Sequence, residues 1–199
     1  MKVDIKNTTQ EYEGFFTLEK SQLRFEKFDG TMSDDVVREN FYRGDSVAAL
    51  IYDASAELAL FIQQFRYPVY TVAPEEAWIL ELVAGSRDRS EDPRQSMLRE
   101  LQEEVHLQAS VEQLDEIGVF FVSPGGTSER IYLYALNTDL SDYQEDQGGL
   151  ISENEDIRIR LLSFEQMFEL LSTNRLIDAK SIIGVQWLQL QVAKKIRTK

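Results

Sequence analysis

Three glutamates lie close together in one short stretch of the sequence, at positions Glu100, Glu103 and Glu104. A helix over residues 97–105, turning by about 100° per residue, places these carboxylates in one sector. The apolar side chains of the same stretch fall in the adjacent sector: Met97, Leu98, Leu101 and Val105. Carboxylates on one helix face repel one another, and Arg99 can offset part of this repulsion by pairing with Glu103. Such a face is either a solvated acidic surface or a binding site for a hard divalent cation.

The segment before this helix favours the second interpretation. A predicted strand ends at Ala84-Gly85 and leads through a loop into the helix, so backbone carbonyl oxygens and carboxylates can converge there. Mg²⁺ binds oxygen ligands of this kind, usually with substrate phosphates completing its coordination shell. We therefore expect a metal site where the strand meets the helix.

The composition argues against most catalytic mechanisms that do not depend on carboxylates. The 199 residues include no cysteine and a single histidine, which excludes thiol nucleophiles and nearly excludes Ser-His-Asp and multi-histidine zinc chemistry. The formal net charge of −14 argues against binding to nucleic acid or to an anionic membrane surface. No membrane span or secretory signal is evident, so we expect a cytoplasmic protein.

The elements that must position the carboxylates fall into two parts. Residues 1–45 predict a small β unit, with short period-two runs, a turn at Asp29-Gly30 and a strand over Val36 to Tyr42. Residues 46–199 predict the main domain, whose strands are Val47 to Tyr52, Leu58 to Phe65, Trp78 to Ala84, Ile117 to Val122, Arg130 to Leu136 and Ile157 to Leu162.

Helices interrupt and follow these strands. They are predicted from about Arg94 to Val105, from a capping box at Ser163 and Gln166, and after Asp178. Because the elements do not alternate regularly as βαβ units, the pattern predicts an α+β fold with a mixed sheet.

The glutamate-rich helix and its surroundings resemble the signature of the Nudix hydrolases. That signature is Gly, five residues, Glu, seven residues, Arg-Glu, an aliphatic, any residue, Glu-Glu, any residue, Gly and an aliphatic. The positions that match in register are Gly85, Glu91, Arg99, Glu100, Leu101, Glu103, Glu104 and Leu107. His106 stands where the family has glycine, a position that caps the helix in a left-handed conformation at a cost to histidine of order 1 kcal/mol. The resemblance implies the Nudix fold, a mixed β-sheet sandwiched between helices.

Further segments look like the bacterial ADP-ribose pyrophosphatases within this family. They are the Pro-Gly-Gly turn over residues 123–130, the acidic loop over residues 153–157 and the tail from Ile177 to Gln191. Taken alone, the first would be an ordinary tight turn and the second a solvated loop. The resemblance implies hydrolysis of ADP-ribose to AMP and ribose 5-phosphate with Mg²⁺, or Mn²⁺ as the alternative metal.

The resemblance also implies roles for single residues. The implied metal ligands are the Ala84 carbonyl, Glu100, Glu104, Glu155 and, as a secondary ligand, Glu103. Glu153 is the expected general base, with Glu155 as the alternative, and Glu104 is expected to be catalytic as well. The implied substrate contacts are Phe15, Phe16, Arg38, Glu39, Arg43, Arg66, Ser86, Ser123, Pro124, Gly125 and Glu129. The first four would come from a partner subunit, which implies a domain-swapped homodimer.

Alternatives remain at this point. The substrate could be another nucleoside diphosphate sugar such as GDP-mannose, because the turn and loop segments resemble that relative too. A non-catalytic ADP-ribose-binding Nudix module is a second alternative, although every glutamate of the signature is present. An acidic interaction protein without a ligand is the third.

Overall fold

The computed structural model describes residues 1–144, 147–149 and 155–197, with side chains described as far as residue 194. The chain divides into two compact units. The first unit contains Met1–Asp45 and Phe120–Arg130, and the second contains Ser46–Val119 and Ile131–Lys199. No sequence pattern indicated that residues 120–130 belong with the N-terminal segment.

The first unit contains an antiparallel sheet whose strands follow chain order. These strands are β1 (Val3–Glu13), β2 (Thr17–Phe25) and β3 (Val36–Tyr42). The side chains of β1 are exposed along its whole length. Because β1 buries no apolar face, it has little of the alternation that marks a strand, and sequence patterning missed it. The predicted turn at Asp29-Gly30 is confirmed, since Gly30 has a φ of 81°.

The second sheet carries the candidate site. Its strands are β4 (Asp45–Asp53), β5 (Leu58–Phe65), β6 (Trp78–Glu81), β7 (Val83–Arg87), β8 (Leu114–Phe121), β9 (Arg130–Asn137), β10 (Gln147–Gly148) and β11 (Ile157–Ser163). Over the described residues the order is β10-β11-β5-β4-β9-β8, with β6 beside β5 and β7 beside β4. β4 runs parallel to β9 and antiparallel to β5, so the predicted mixed sheet is confirmed.

Three of the helices lie near the predicted positions, and the short first helix was not predicted. The helices are α1 (Tyr67–Tyr70), α2 (Pro93–Val105), α3 (Phe164–Ser172) and α4 (Ala179–Arg197). Asp92 caps α2 by accepting a hydrogen bond from the Arg94 N–H at 2.8 Å. The predicted capping box of Ser163 and Gln166 at the start of α3 is present. Within residues 1–144, 147–149 and 155–197, none of the helices combines the length and the hydrophobicity that a membrane span requires.

Helices cover both faces of the second sheet, which confirms the predicted sandwich. Ile51 of β4 packs in one buried cluster with three side chains of α2, which are Met97, Leu101 and Val105. The neighbouring Leu50 points to the opposite face, where Gly184 of α4 packs against it. Each aliphatic side chain buried in this way contributes about 1.5–3 kcal/mol relative to leaving it exposed.

One prediction about the second sheet is wrong. Residues 78–84 do not form a single strand, because the Leu82 N–H leaves the ladder and donates to Ser181 Oγ at 2.9 Å. β6 therefore ends at Glu81 and pairs with β5, whereas β7 begins at Val83 and pairs with β4. The interruption is set by a residue far along the chain, and it places Glu81 and Ala84 on different strands.

Candidate active site

Two glutamates of α2 turn inward against β7. Glu100 is 8% exposed and Glu104 is 3% exposed, so neither belongs to a solvated acidic face. Glu104 accepts a hydrogen bond from the Ala84 N–H at 3.2 Å. Because the two side chains are four residues apart on one helix, both carboxylates lie on the side that faces this strand.

Glu100 occupies the space that a side chain at position 85 would need. A Cβ built on Gly85 would lie 1.8 Å from Glu100 Cδ and 2.0 and 2.2 Å from its two carboxylate oxygens. Real Cβ atoms essentially never approach other heavy atoms so closely. The glycine that opens the signature therefore makes room for the carboxylate of Glu100 beside Ala84.

The two buried carboxylates have raised affinities for protons. Burial raises the pKa of Glu100 to about 7, even though Arg99 acts in the opposite direction. The pKa of Glu104 is raised well above its ordinary value, mainly by burial and next by the charge of Glu100. The charge of Glu155 raises the pKa of both groups, which places Glu155 within electrostatic reach of them. A cation beside these groups would favour their charged forms.

Glu103 is held on the outer side of α2 by Arg99. Arg99 Nη1 donates to Glu103 Oε2 at 2.7 Å, which confirms the pair predicted from their spacing. Arg99 Nη2 lies 2.7 Å from Glu100 Oε1 and donates to the Ser86 carbonyl at 3.1 Å. Arg99 thus ties the helix to β7 and engages Glu103 in an ion pair.

The ends of α2 keep this geometry fixed. Near its start, Ser96 Oγ donates to a carboxylate oxygen of Glu91, the first glutamate of the signature, at 2.6 Å. At its end, His106 has a φ of 56° and its N–H bonds to the Leu101 carbonyl. His106 therefore takes the left-handed capping conformation that the signature glycine would take.

The donor chemistry fits a hard divalent cation. Glu100 and Glu104 offer carboxylate oxygens beside β7, and their burial makes a neighbouring positive charge favourable. Among residues 1–144, 147–149 and 155–197, no group of three or more acidic or histidine side chains is arranged to hold a metal by itself. A cation held by these two glutamates would complete its shell with water and substrate oxygens, as Mg²⁺ usually does. Glu153, the predicted base, lies outside the described residues.

Arg66, a predicted substrate contact, belongs to a group of charges around the buried Glu81 that sequence reasoning missed. Arg66 Nε donates to Glu81 Oε1 at 2.7 Å, and Lys180 Nζ donates to Glu81 Oε2 at 2.5 Å. Lys180 also lies 3.0 Å from Asp178 Oδ2. The one sequence signal was a glutamate inside an otherwise apolar run, Trp78 to Ala84.

Several other predicted substrate contacts lie in the first unit. The guanidinium of Arg43 lies 5.4 Å from the centroid of the Phe16 ring and 3.5 Å from Glu129 Oε1. Phe15 packs edge-on against Phe16, with ring centroids 4.8 Å apart, and is otherwise 90% exposed. These residues form one aromatic and charged group.

The remaining contacts predicted for the first unit are spread over two elements. Arg38 donates to the Val37 carbonyl, and the adjacent Glu39 points to the other face of the β3 sheet. The segment that begins with Ser123, Pro124 and Gly125 is a tight turn, because the N–H groups of residues 126 and 127 both donate to the Ser123 carbonyl at 3.0 Å.

Comparisons with known proteins identify the family of this chain. The sequence model of the NUDIX domain matches residues 42–191. An ADP-ribose pyrophosphatase of Haemophilus influenzae is 35% identical over 185 residues, covering 92% of this chain and 84% of the relative. The ADP-ribose pyrophosphatase of Escherichia coli (strain K12) is 36% identical over 179 residues, covering 90% and 84%.

Two further comparisons bear on substrate and fold. A GDP-mannose pyrophosphatase of Yersinia pestis (strain Pestoides F) is 29% identical over 192 residues, covering 96% of this chain and 94% of the relative. A crystal structure of an ADP compounds hydrolase superposes with a TM-score of 0.72 at 19% identity, covering 98% of this chain and 96% of the other. At that identity, the superposition speaks for the fold alone.

Proposed function

Because the chain belongs to the NUDIX family, we propose that it hydrolyses the diphosphate bond of ADP-ribose to AMP and ribose 5-phosphate with Mg²⁺. The observation that carries the proposal is the pair of buried carboxylates, Glu100 and Glu104, set against Ala84 and Gly85. Relatives that are at least 35% identical and bear the name ADP-ribose pyrophosphatase support the choice of substrate.

The site must bring a doubly charged diphosphate to a water molecule. Glu100 and Glu104 would hold the metal, with the Ala84 carbonyl as a further oxygen donor. Mg²⁺, when bound, would neutralise phosphate charge and lower the pKa of a bound water. The guanidinium of Arg66 would bind phosphate oxygens from the end of β5 and keep the diphosphate in place.

The proton of the attacking water needs an acceptor. We assign that role to Glu153, with Glu155 as the alternative, on the strength of the resemblance to the family. The water oxygen would form a bond to one phosphorus, the bridging P–O bond would break, and the water proton would pass to the carboxylate. Attack at either phosphorus yields the same two products.

The first unit would bind the adenosine end. Phe16 and Arg43 lie together there and offer an aromatic ring and a cation for a purine, and Phe15 is almost wholly exposed. We propose that this unit serves the site of a second copy in a homodimer. Tyr12 and Phe28 are also strongly exposed in this unit, which supports a covering partner. Light scattering on the purified chain should give twice its 23.0 kDa mass, and a monomer would contradict the proposal.

A nucleotide panel tests the activity directly. The chain is incubated with ADP-ribose, GDP-mannose and related dinucleotides with Mg²⁺, and the products are identified by mass. AMP and ribose 5-phosphate from ADP-ribose are expected, and Glu104→Gln serves as the inactive control. Preferential cleavage of GDP-mannose would make GDP-mannose the substrate instead of ADP-ribose. The 29% identical relative named GDP-mannose pyrophosphatase supports that alternative.

A thermal melt distinguishes a hydrolase of ADP-ribose or GDP-mannose from an interaction protein without a ligand. Mg²⁺ with ADP-ribose should raise the melting temperature, because a ligand that binds the folded state stabilises it. An unchanged melting temperature would support the interaction protein. A raised melting temperature without any product would support the non-catalytic binding module. The cytoplasmic location stays a prediction.

A further inference from the structure

Glu81 is the centre of a buried ion-pair network in the second unit. It is 1% exposed, and its two oxygens bind different cations: Oε1 accepts from Arg66 Nε and Oε2 accepts from Lys180 Nζ. Lys180 is itself 8% exposed and pairs with Asp178 as well. Two cations and two carboxylates balance in charge, as charges removed from water must.

Arg66 makes only one of the two hydrogen bonds that a guanidinium can donate to a carboxylate such as Glu81. A guanidinium and a carboxylate favour two parallel hydrogen bonds, with both carboxylate oxygens engaged. Here the ammonium of Lys180 holds the second oxygen, and Arg66 donates through Nε alone. Among the residues that the structure describes, Glu81 is the only hydrogen-bond acceptor for Arg66. The two terminal nitrogens of the guanidinium are therefore left for an anion.

The guanidinium also lies within electrostatic reach of the candidate metal site. Burial lowers the pKa of Arg66, but the charge and hydrogen bond of Glu81, together with the charges of Glu104 and Asp178, outweigh this and raise it. Glu104 is one of the two carboxylates beside Ala84. An anion that bridges a cation at Glu104 and the terminal nitrogens of Arg66 would have the chemistry of a diphosphate.

We propose that Lys180 is a positioning residue for the diphosphate of the substrate. By holding Oε2 of Glu81, Lys180 prevents the two-bond pairing of Arg66 with Glu81 and keeps the terminal nitrogens of Arg66 available to phosphate oxygens. The inference rests on the proposed function, because it assumes that Arg66 binds the diphosphate. Lys180 touches no reacting atom, so it acts only through Glu81 and Arg66.

The kinetic test removes the ammonium but keeps most of the side-chain volume. Lys180→Met should raise KM for ADP-ribose about 10-fold while kcat changes less than about 2-fold, because the lost interaction is one that holds the ground state as well as the transition state. Lys180→Arg can still donate to Glu81 and should return KM to within about 3-fold of the wild-type value. An unchanged KM in folded Lys180→Met would overturn the proposal.

Ser163→Ala is the control for a purely structural role. Ser163 accepts a hydrogen bond from the Gln166 N–H at 3.1 Å in the capping box of α3 and has no contact with the ion-pair network in the described residues. Its replacement should lower the melting temperature, because a helix cap is lost, but should leave KM unchanged. If KM instead rose in step with the loss of melting temperature in both variants, Lys180 would be a structural residue only.

A second variant covers the case in which Lys180→Met does not fold. The double substitution Glu81→Gln with Lys180→Met removes one charge of each sign from the interior, and it also removes the carboxylate that could pair with Arg66 through two bonds. It should fold, and its KM should stay within about 3-fold of the wild-type value, because the terminal nitrogens of Arg66 remain available to phosphate oxygens. A KM raised about 10-fold or more in the folded double variant would overturn the proposal.

Binding of inorganic pyrophosphate separates this inference from the choice of substrate. Calorimetry with Mg²⁺ and pyrophosphate should give about 10-fold weaker binding for Lys180→Met than for the wild type. That result would support the positioning role of Lys180 even if the wild-type chain did not cleave ADP-ribose. Failure to cleave ADP-ribose would refute only the proposed substrate. Equal pyrophosphate affinity in the two proteins would refute the positioning role whatever the substrate.

Discussion

A methyl group at position 85 is expected to push the carboxylate of Glu100 out of its place. The new Cβ would lie 1.8 Å from Glu100 Cδ, whereas ordinary contact begins at 3.4 Å, so the carboxyl group must move by about 1.6 Å. The backbone of Gly85 lies outside the left-handed region, so alanine fits the main chain itself. The displaced group is the end of a flexible side chain, and the change therefore falls on the site rather than on the fold.

The size of the effect follows from that displacement. Disturbing groups that position metal ligands costs about 10- to 100-fold in metal affinity or activity, which corresponds to about 1.4 to 2.7 kcal/mol. We expect Gly85→Ala to raise the Mg²⁺ concentration for half-maximal hydrolysis by this factor. Its melting temperature should stay within about 5 °C of the wild-type value, because the loss of packing is confined to one side chain.

Two companion variants sharpen the assay. Gly118→Ala, in β8, is the control: apart from its chain neighbours, no described residue has a heavy atom within 4 Å of the position of the new methyl group. It should leave the Mg²⁺ dependence unchanged. Glu100→Asp in the Gly85→Ala background retracts the carboxylate by one bond, about 1.5 Å, and should recover part of the lost affinity. Activity is titrated with Mg²⁺, and Mn²⁺ binding is measured by calorimetry. Wild-type metal dependence in a folded Gly85→Ala protein would show that the position of the Glu100 carboxylate does not set the metal affinity.

Three more predictions concern the carboxylates. In EDTA, the free energy of unfolding should fall by at most about 3 kcal/mol between about pH 5 and pH 8, because the pKa of Glu100 is raised in the folded state and its stabilising contribution is lost as the proton leaves. Urea melts with saturating Mg²⁺ should lack this fall, and an equal fall with and without Mg²⁺ would contradict the assignment. Glu104→Gln should raise the melting temperature of the metal-free protein by about 3–6 °C at about pH 8, since burial disfavours ionisation of the Glu104 carboxyl and raises its pKa, and should abolish most Mg²⁺-dependent turnover. A lower melting temperature measured in EDTA would refute that reasoning. Glu153→Gln should bind ADP-ribose normally but lose about 100-fold or more in kcat, and wild-type turnover would move the base assignment to Glu155.

Local chemistry explains why α2 could be read from the sequence. Its apolar residues recur at the helical period, and it ends at His106, which stands at the capping position of the signature and has the left-handed conformation expected there. Each of these signals depends on neighbours within a few positions. The same locality explains the failure at residues 78–84, because the strand is interrupted by Ser181, which lies 99 residues beyond Leu82. β1 was missed for a related reason, since it pairs through its backbone and buries no side chain.

The sequence alone predicts that carboxylates carry the chemistry, and its spacing places three of them on one face of a helix. Spacing fixes direction around a helix axis, so Glu100, Glu103 and Glu104 could be placed together without a structure. The burial of Glu100 and Glu104 against β7, in contrast to the pairing of Glu103 with Arg99, is set by the tertiary fold. Burial, and the rise in pKa that it causes, depend on elements distant in sequence, because those elements exclude water from the group.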